Sequence, residues 1–572
     1  MTSLTEEQYQ TKIRELEKEV KKLNLIIQKD SKTKYGLRWI DVPEAFEKDS
    51  ENKIPILEEA KDKAIKNDDG KPTHILIEGD NYHALKCLNY THKGKIDVIY
   101  IDPPYNTGSD GFTYKDKRFL SQFPDGTTIP KEHPLRHSTW LSFMSKRLEL
   151  AKNLLSEKGV IFISINDNEQ ANLKLLCDQI FGEENFIGTL TWESTTQPIN
   201  AGTAKFQLQQ KVEYILCYAK NKNKKQQFIL NEIVKENKYP HVGKFGKCRF
   251  EIIEKSDAGS YKRETMKFQI LGQYPRDGKR WQIGEITARD LERRERVEIV
   301  DGIVKKAIYP EDELVESSFV PFWSHYSSDE VGTAQNGKDE LNEIMGYATG
   351  FDTVKTVPLL SELLTHFPCG ITILDFFAGS GTTLHATMKL NAEDGGNRQC
   401  ILVQQKEKGN NICQNITYER NRRVMQGYTN PKGEKIEGLG NSLKYYRTAF
   451  VGENEAEYAT DKDKIILSKK AGCLLSMAEN TLEEYLSTDR YQIFGDDKNS
   501  FTGIYFSANA DKISEFTAKL EQLRNLSSLN EINAYFFSSG DGTEFSDEFE
   551  SRKNIKIKSI PEPILEVYRR LN

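Results

Sequence analysis

The sequence contains no apolar run long enough to cross a bilayer and no signal-peptide pattern at its start, so it reads as a soluble, cytoplasmic protein without a membrane partner. Its eight cysteines include no C-x-x-C pair. That spacing argues against a zinc site or a disulfide framework and for reduced thiols in a reducing compartment. Nor does one sign of charge dominate, since 80 Lys and Arg stand against 86 Asp and Glu for a net −6. A nucleic-acid partner would therefore have to be held by local basic surface.

What the sequence does contain is organised around Lys95 to Tyr114, KIDVIYIDPPYNTGSDGFTY. Ile96, Val98, Ile99 and Ile101 form the short, β-branched run of a fully buried parallel strand. Pro103 and Pro104 cannot continue it, because each lacks a backbone donor and has a fixed φ. Asp102 and Tyr105 are thereby held at a strand's carboxyl end, where open α/β sheets bind ligands. Asp102 and a proline carbonyl can accept both hydrogens of an exocyclic amine, and Tyr105 offers a face to a base removed from its stack. The bland alternative is a Pro-Pro turn with a solvated acid.

On either side the chain alternates strand and helix. Residues 5 to 30 carry Tyr9, Ile13, Leu16, Val20, Leu23 and Ile27 in steps of three and four, a heptad seam or a single amphipathic helix. Residues 31 to 73 read as a polar connector with one short helix near Ile56 to Ile65. HILIEGD, 74 to 80, predicts a second buried strand that sets Asp80 beside the site. A helix over Ser138 to Lys158 stopped by Gly159, a strand over 160 to 165 and a helix over 168 to 181 complete the βαβ pattern. From 188 to 350 the pattern changes. Between His241 and Arg280 ten Lys and Arg face five Asp and Glu, with aromatics between them. Lys262, Arg263, Lys267, Arg276, Lys279, Arg280 and Trp281 suit phosphate contact and base stacking, unless they belong to an ordinary solvated β-rich insertion.

At Ile371 a buried strand returns in ITILDFFAGSGTT. Asp375, Phe377, Ala378, Gly379, Ser380, Gly381 and Thr382 form a bare turn into a helix, which lets a ligand approach backbone at the helix start. After the next strand, QCILVQQ, Glu407 stands near where a ribose hydroxyl is held in such folds.

Asp-Pro-Pro-Tyr followed by Phe-x-Gly-x-Gly resembles the β-class amino-methyltransferases of DNA, and more narrowly the modification subunits of type III restriction-modification systems. The resemblance rests on ILIEGDNYHALKCL, VIYIDPPYNTG, FISINDNEQANLKLLCDQIFGEENF, VGTAQNGKDEL, DFFAGSGTT, ITYERNRRV and LKYYRTAFV, which span most of 74 to 451. It implies an α/β fold, the circularly permuted, Rossmann-like arrangement of S-adenosylmethionine-dependent methyltransferases. In that arrangement 74–187 is the catalytic half, 188–350 an inserted target-recognition domain and 351–452 the cofactor-binding half. An N-terminal coiled-coil helix over 1–30 and a small α/β assembly domain over 453–572 complete the chain.

The resemblance further implies that S-adenosylmethionine is the cofactor, with Phe351 and Lys355 added to its binding residues. The family's usual Lys-Pro pair is here Lys355-Thr356. The implied reaction is methylation of adenine N6 in double-stranded DNA by one in-line displacement, without metal. A homodimer and a restriction (helicase-nuclease) subunit are the implied partners. An orphan adenine-N6 or cytosine-N4 enzyme and a non-catalytic DNA-binding specificity subunit are the alternatives.

Overall fold

The computed structural model describes residues 37–42 and 53–571, apart from 108–117, 123–126, 131–132, 199–201, 203–204, 223–227, 234–237, 259–262, 313–317, 352, 406–410, 453–455, 497–499, 508–509, 527–531 and 539–554. The expected N-terminal seam, Lys262 and Glu407 lie outside the described residues. The chain divides into two compact units, 1–229 with 323–572, and 230–322.

The first unit is built on a ten-stranded mixed sheet. In chain order its strands are β1 (Ile54–Glu59), β2 (Thr73–Glu78), β3 (Ile96–Ile101), β4 (Leu155–Ile165), β5 (Phe186–Glu193), β6 (Val212–Ala219), β7 (His325–Tyr326), β8 (Thr372–Asp375), β9 (Gln399–Gln404) and β10 (Ser442–Val451). Their spatial order is β1-β10-β2-β9-β8-β3-β4-β6-β5-β7. The run from β10 to β4 is parallel, whereas β6 lies antiparallel to both β4 and β5. The carboxyl ends of β2, β9, β8, β3 and β4, and the start of β6, therefore share one edge of the sheet. Strand β8, which leads into the glycine-rich turn, lies directly beside β3, with Ile373 opposite Val98, although some 270 residues separate them in sequence.

Both faces of the central strands are buried, which is why they read as continuous apolar runs rather than as alternating ones. Ile75, Ile77, Ile99, Ile101, Ile161, Ile163, Leu374, Ile401 and Val403 are at most 1% exposed. Helices Asn81–Thr91, Ser138–Leu154, Val357–Thr365 and Thr382–Asp394 flank the sheet.

Two local expectations are corrected. In place of one short helix near Ile56 to Ile65 stands the edge strand β1, which pairs antiparallel with β10 from Ile54↔Val451 to Glu59↔Tyr446 and buries Ile54, Ile56 and Leu57, followed by a single 3-10 turn over Lys61–Lys63. The helix from Ser138 ends at Leu154 rather than Lys158. Leu155 turns extended at φ −59°, ψ 133° and pairs with Ile96, and the register shifts before the ladder resumes at Val98↔Val160.

Residues 483–561 form a second sheet of five strands, ordered Glu483–Ser487, Tyr491–Gly495, Phe501–Tyr505, Ile532–Ser538 and Ile555–Pro561. The last helix, Glu562–Leu571, returns to the main sheet, where the Tyr568 hydroxyl donates to the Pro55 carbonyl at 3.0 Å.

The second unit, 230–322, is narrower than the 188–350 expected, since β5, β6 and β7 belong to the large sheet. It holds an antiparallel sheet of Val297–Val300, Ile303–Ile308, Gly246–Ile252 and His241–Gly243, and the α-helix Glu285–Arg293. Ile253, Ile270, Trp281, Ala288, Leu291, Val297 and Val304 form its core.

Candidate active site

Asp102 leaves the sheet where β3 meets Pro103. Its side chain is one-third exposed, and both carboxylate oxygens lie 2.9 Å from Lys355 Nζ. The Tyr105 hydroxyl lies 2.7 Å from Asp102 Oδ1 and 2.9 Å from Glu213 Oε2, so its single proton is shared between two carboxylates. Lys355 Nζ also reaches Glu213 at 3.0 Å and donates to the Tyr105 oxygen at 3.0 Å. Burial works against the Lys355 charge, but Asp102 and then Glu213 outweigh it and hold the ammonium well above the usual lysine range. Burial, followed by the same two carboxylates, pushes the Tyr105 hydroxyl far above its ordinary value.

The scaffold holding this cluster is local. Trp140 Nε1 donates to the Pro104 carbonyl at 2.7 Å and fixes the Pro-Pro turn to the helix behind it. Asn106, the next residue but one, is buried in the left-handed region at φ 56°. There it donates to Glu169 Oε1 at 2.6 Å and receives the Arg118 amide at 2.9 Å. Lys355 is set by Gly337 on helix Ala334–Met345, where a Cβ would meet the Val354 carbonyl oxygen at 2.3 Å and that of Lys355 at 3.0 Å. Only glycine lets that backbone come so close.

Beside β3, the carboxyl of Asp375 is 2% exposed and accepts from Thr383 Oγ1 at 2.6 Å and from the Phe377 amide at 3.0 Å. Burial pushes it up to about 7 against those two hydrogen bonds. The turn that follows runs through Gly379 (φ 51°) and Gly381 (φ 78°) into helix Thr382–Asp394. Gln404 accepts the Gly379 amide at 2.7 Å, and Thr417 donates to the Gly379 carbonyl at 2.6 Å. Beneath the turn, the buried Arg420 donates to Thr382 Oγ1 at 2.7 Å and Ser380 Oγ at 3.2 Å. Ala378 is buried, and the Phe377 ring lies 5.9 Å from that of Phe143.

The remaining site expectations fall in several places. Asp80 caps helix Asn81–Thr91 by accepting the Tyr82 amide at 2.8 Å, with Arg147 3.5 Å away. Phe351 is buried among Leu341, Met345, Val354, Ile412 and Ile416. Lys355, expected among the cofactor residues, has its ammonium 2.9 Å from both carboxylate oxygens of Asp102. In the second unit the stacking role expected of Trp281 is corrected. Trp281 is fully buried, its Nε1 donates to the Phe268 carbonyl at 2.7 Å, and its ring fills the core.

The basic residues around Trp281 are largely ion-paired. Arg276 meets Glu254 at 2.7 Å, Lys267 meets Asp257 at 2.7 Å and Glu264 at 3.1 Å, and Arg280 meets Asp257 at 3.5 Å. Arg263 is exposed and Lys279 half-buried.

Sequence reasoning missed Glu213 and Trp140. Glu213 did carry a signal, being the lone acid in the apolar strand VEYILCYA.

A family model described as DNA methylase matches residues 96–426. The Mod subunit of the type III restriction-modification enzyme StyLTI from Salmonella typhimurium is 33% identical over 395 residues, covering 61% of this chain and 55% of that protein. The EcoP15I Mod subunit from Escherichia coli is 31% identical over 439 residues, 65% of each chain. This chain thus spans between about half and two thirds of the length of these relatives. A solved structure of the PvuII DNA methyltransferase (cytosine-N4-specific) aligns with 12% identity over 64% of this chain and 96% of that one, at a TM-score of 0.31. Since the family model takes in more than half of the sequence and both strand-end motifs, the chain belongs to the DNA methylase family.

Proposed function

We propose that the protein transfers a methyl group from S-adenosylmethionine to adenine N6 within a specific DNA sequence, as the modification component of a type III restriction-modification system. The observation that carries this reading is the Asp102 carboxylate held by Lys355 at the start of the Pro-Pro turn, at the end of the strand that borders the one leading into the glycine-rich turn. Mod subunits among the relatives support the type III assignment and a restriction subunit as partner. The late position of β8 beside β3 supports a permuted methyltransferase order, and the separate unit 230–322 an inserted target-recognition domain.

The residues present fit the cofactor. A turn with two glycines at positive φ has no side chain at Gly379 or Gly381 to fill the space where it enters the helix, and the half-buried Gly379 together with the buried Asp375 would hold the ligand. When bound, S-adenosylmethionine supplies a methyl group on a cationic sulfonium.

This chain's residues do the rest. The adenine amine is a poor nucleophile while its lone pair is conjugated with the ring. An acceptor at Asp102 and one at the Pro103 carbonyl draw its two hydrogens away and turn the lone pair outward. The Pro104 carbonyl is already taken by Trp140. Asp102 has about four lone-pair directions, and Lys355 with Tyr105 fill most of them, which leaves room for one amine hydrogen. The proton lost after transfer goes to Asp102. Positioning and charge supply the rate.

Methylation of plasmid DNA in a host without its own methylases, followed by single-molecule sequencing, tests the reading. N6-methyladenine in one sequence context is expected; methylcytosine alone or no modification contradicts it.

A further inference from the structure

Lys355 meets both oxygens of Asp102, so this pair on its own is close to electrically neutral. A neutral pair is poorly suited to a reaction that places positive charge on an amine. Glu213 changes the count. It is 8% exposed, comes from the start of β6 and lies 3.0 Å from the same ammonium. Resting on the methyl-transfer reading above, we propose that Glu213 is a positioning residue that gives the site around Asp102 its net negative charge.

Two carboxylates share one ammonium, so the cluster carries one negative charge, and with Lys355 and Glu213 buried that charge is screened less than it would be in water. The Tyr105 hydroxyl lies between them and can give its proton to either. When it donates to Glu213, a lone pair of Asp102 is released toward the substrate amine. Lys355 in turn divides its three hydrogens among Asp102, Glu213 and the Tyr105 oxygen, so it neither collapses onto Asp102 nor leaves two carboxylates facing each other. The other nearby acid, Asp375, is engaged by Thr383 and the Phe377 amide on the neighbouring strand.

Charge rescue tests this. Glu213→Gln should lower kcat roughly tenfold to a hundredfold, less than the ~10²–10³ of losing a contact made directly to the reacting group because Glu213 acts through Asp102, with KM for DNA little changed. Glu213→Asp keeps the charge and should retain most of the rate. Glu213→Gln combined with Lys355→Met again leaves one net negative charge and should recover part of what Glu213→Gln lost. A purely structural role for Glu213 makes that double variant worse than the single one.

An equilibrium readout accompanies the kinetics. Calorimetry with sinefungin, whose charged amine replaces the sulfonium methyl, and with neutral S-adenosylhomocysteine gives an affinity ratio. Glu213→Gln should shift it toward the neutral ligand by roughly threefold or more. Melting curves establish that each variant is folded. An unchanged ratio together with a double variant no faster than Glu213→Gln overturns the proposal. Methyl transfer by the wild-type protein, measured in parallel, separates failure of the proposal from failure of the reading beneath it.

Discussion

Asp102 and Asp375 end neighbouring parallel strands, yet their surroundings differ in kind. Asp102 is one-third exposed and faces an ammonium; Asp375 is buried and, among the described residues, accepts from a hydroxyl and an amide. For Asp375 burial dominates and raises the folded-state value to about 7, above an ordinary 3.8. The folded chain therefore holds this proton more tightly than the unfolded one, and the group's contribution to stability falls as pH rises from about 4 to about 7. Asp375→Asn should flatten the decline of Tm across that window relative to wild type. An identical pH dependence in the two proteins would place the titration elsewhere.

Among the elements, helix Ala334–Met345 and the segment before helix Val357–Thr365 act as one device. Gly337 admits the Val354 and Lys355 backbone, and Thr356 caps the following helix by accepting the Leu359 amide. Gly337→Ala should cost about 1 to 3 kcal/mol of stability, the usual range for overpacking a tight contact. It should also lower methyl transfer by displacing Lys355, with cofactor affinity retained. Unaltered turnover would show that the Lys355 backbone has room to move.

Strand ends of this kind were legible in the sequence because buried parallel strands are continuous apolar runs and Pro-Pro or Gly-x-Gly stops them. The contact between Asp102 and Lys355 was not, since no local period links residues 253 positions apart. Strand β1 was missed because an edge strand of six residues is too short for its period to exclude a helix turn. Trp281 was misread because a basic and aromatic composition describes a DNA surface and an ion-paired, Trp-centred core equally well.

For the whole molecule, the compact unit 230–322 has its own core, which makes it the block to exchange. Replacing it with the matching block of a relative should move the methylated sequence while leaving the chemistry intact; an unchanged sequence would assign recognition to the larger unit. The heptad seam in residues 5 to 30 leads us to expect a homodimer by light scattering at micromolar concentration. Deletion of residues 1 to 30 should weaken it. A full-length monomer under those conditions contradicts the expectation.

The most direct measurement compares Asp102→Ala with wild type in two assays, calorimetric titration with S-adenosylmethionine and transfer of tritiated methyl to DNA. The glycine-rich turn and Asp375 are untouched by the substitution, so S-adenosylmethionine should still bind, weakened by roughly the severalfold expected for one lost negative charge near the sulfonium. Transfer should fall by about two to three orders of magnitude, the scale of losing a preorganised contact to the reacting group. Near-normal transfer by Asp102→Ala would contradict the assignment of this strand end as the site of chemistry.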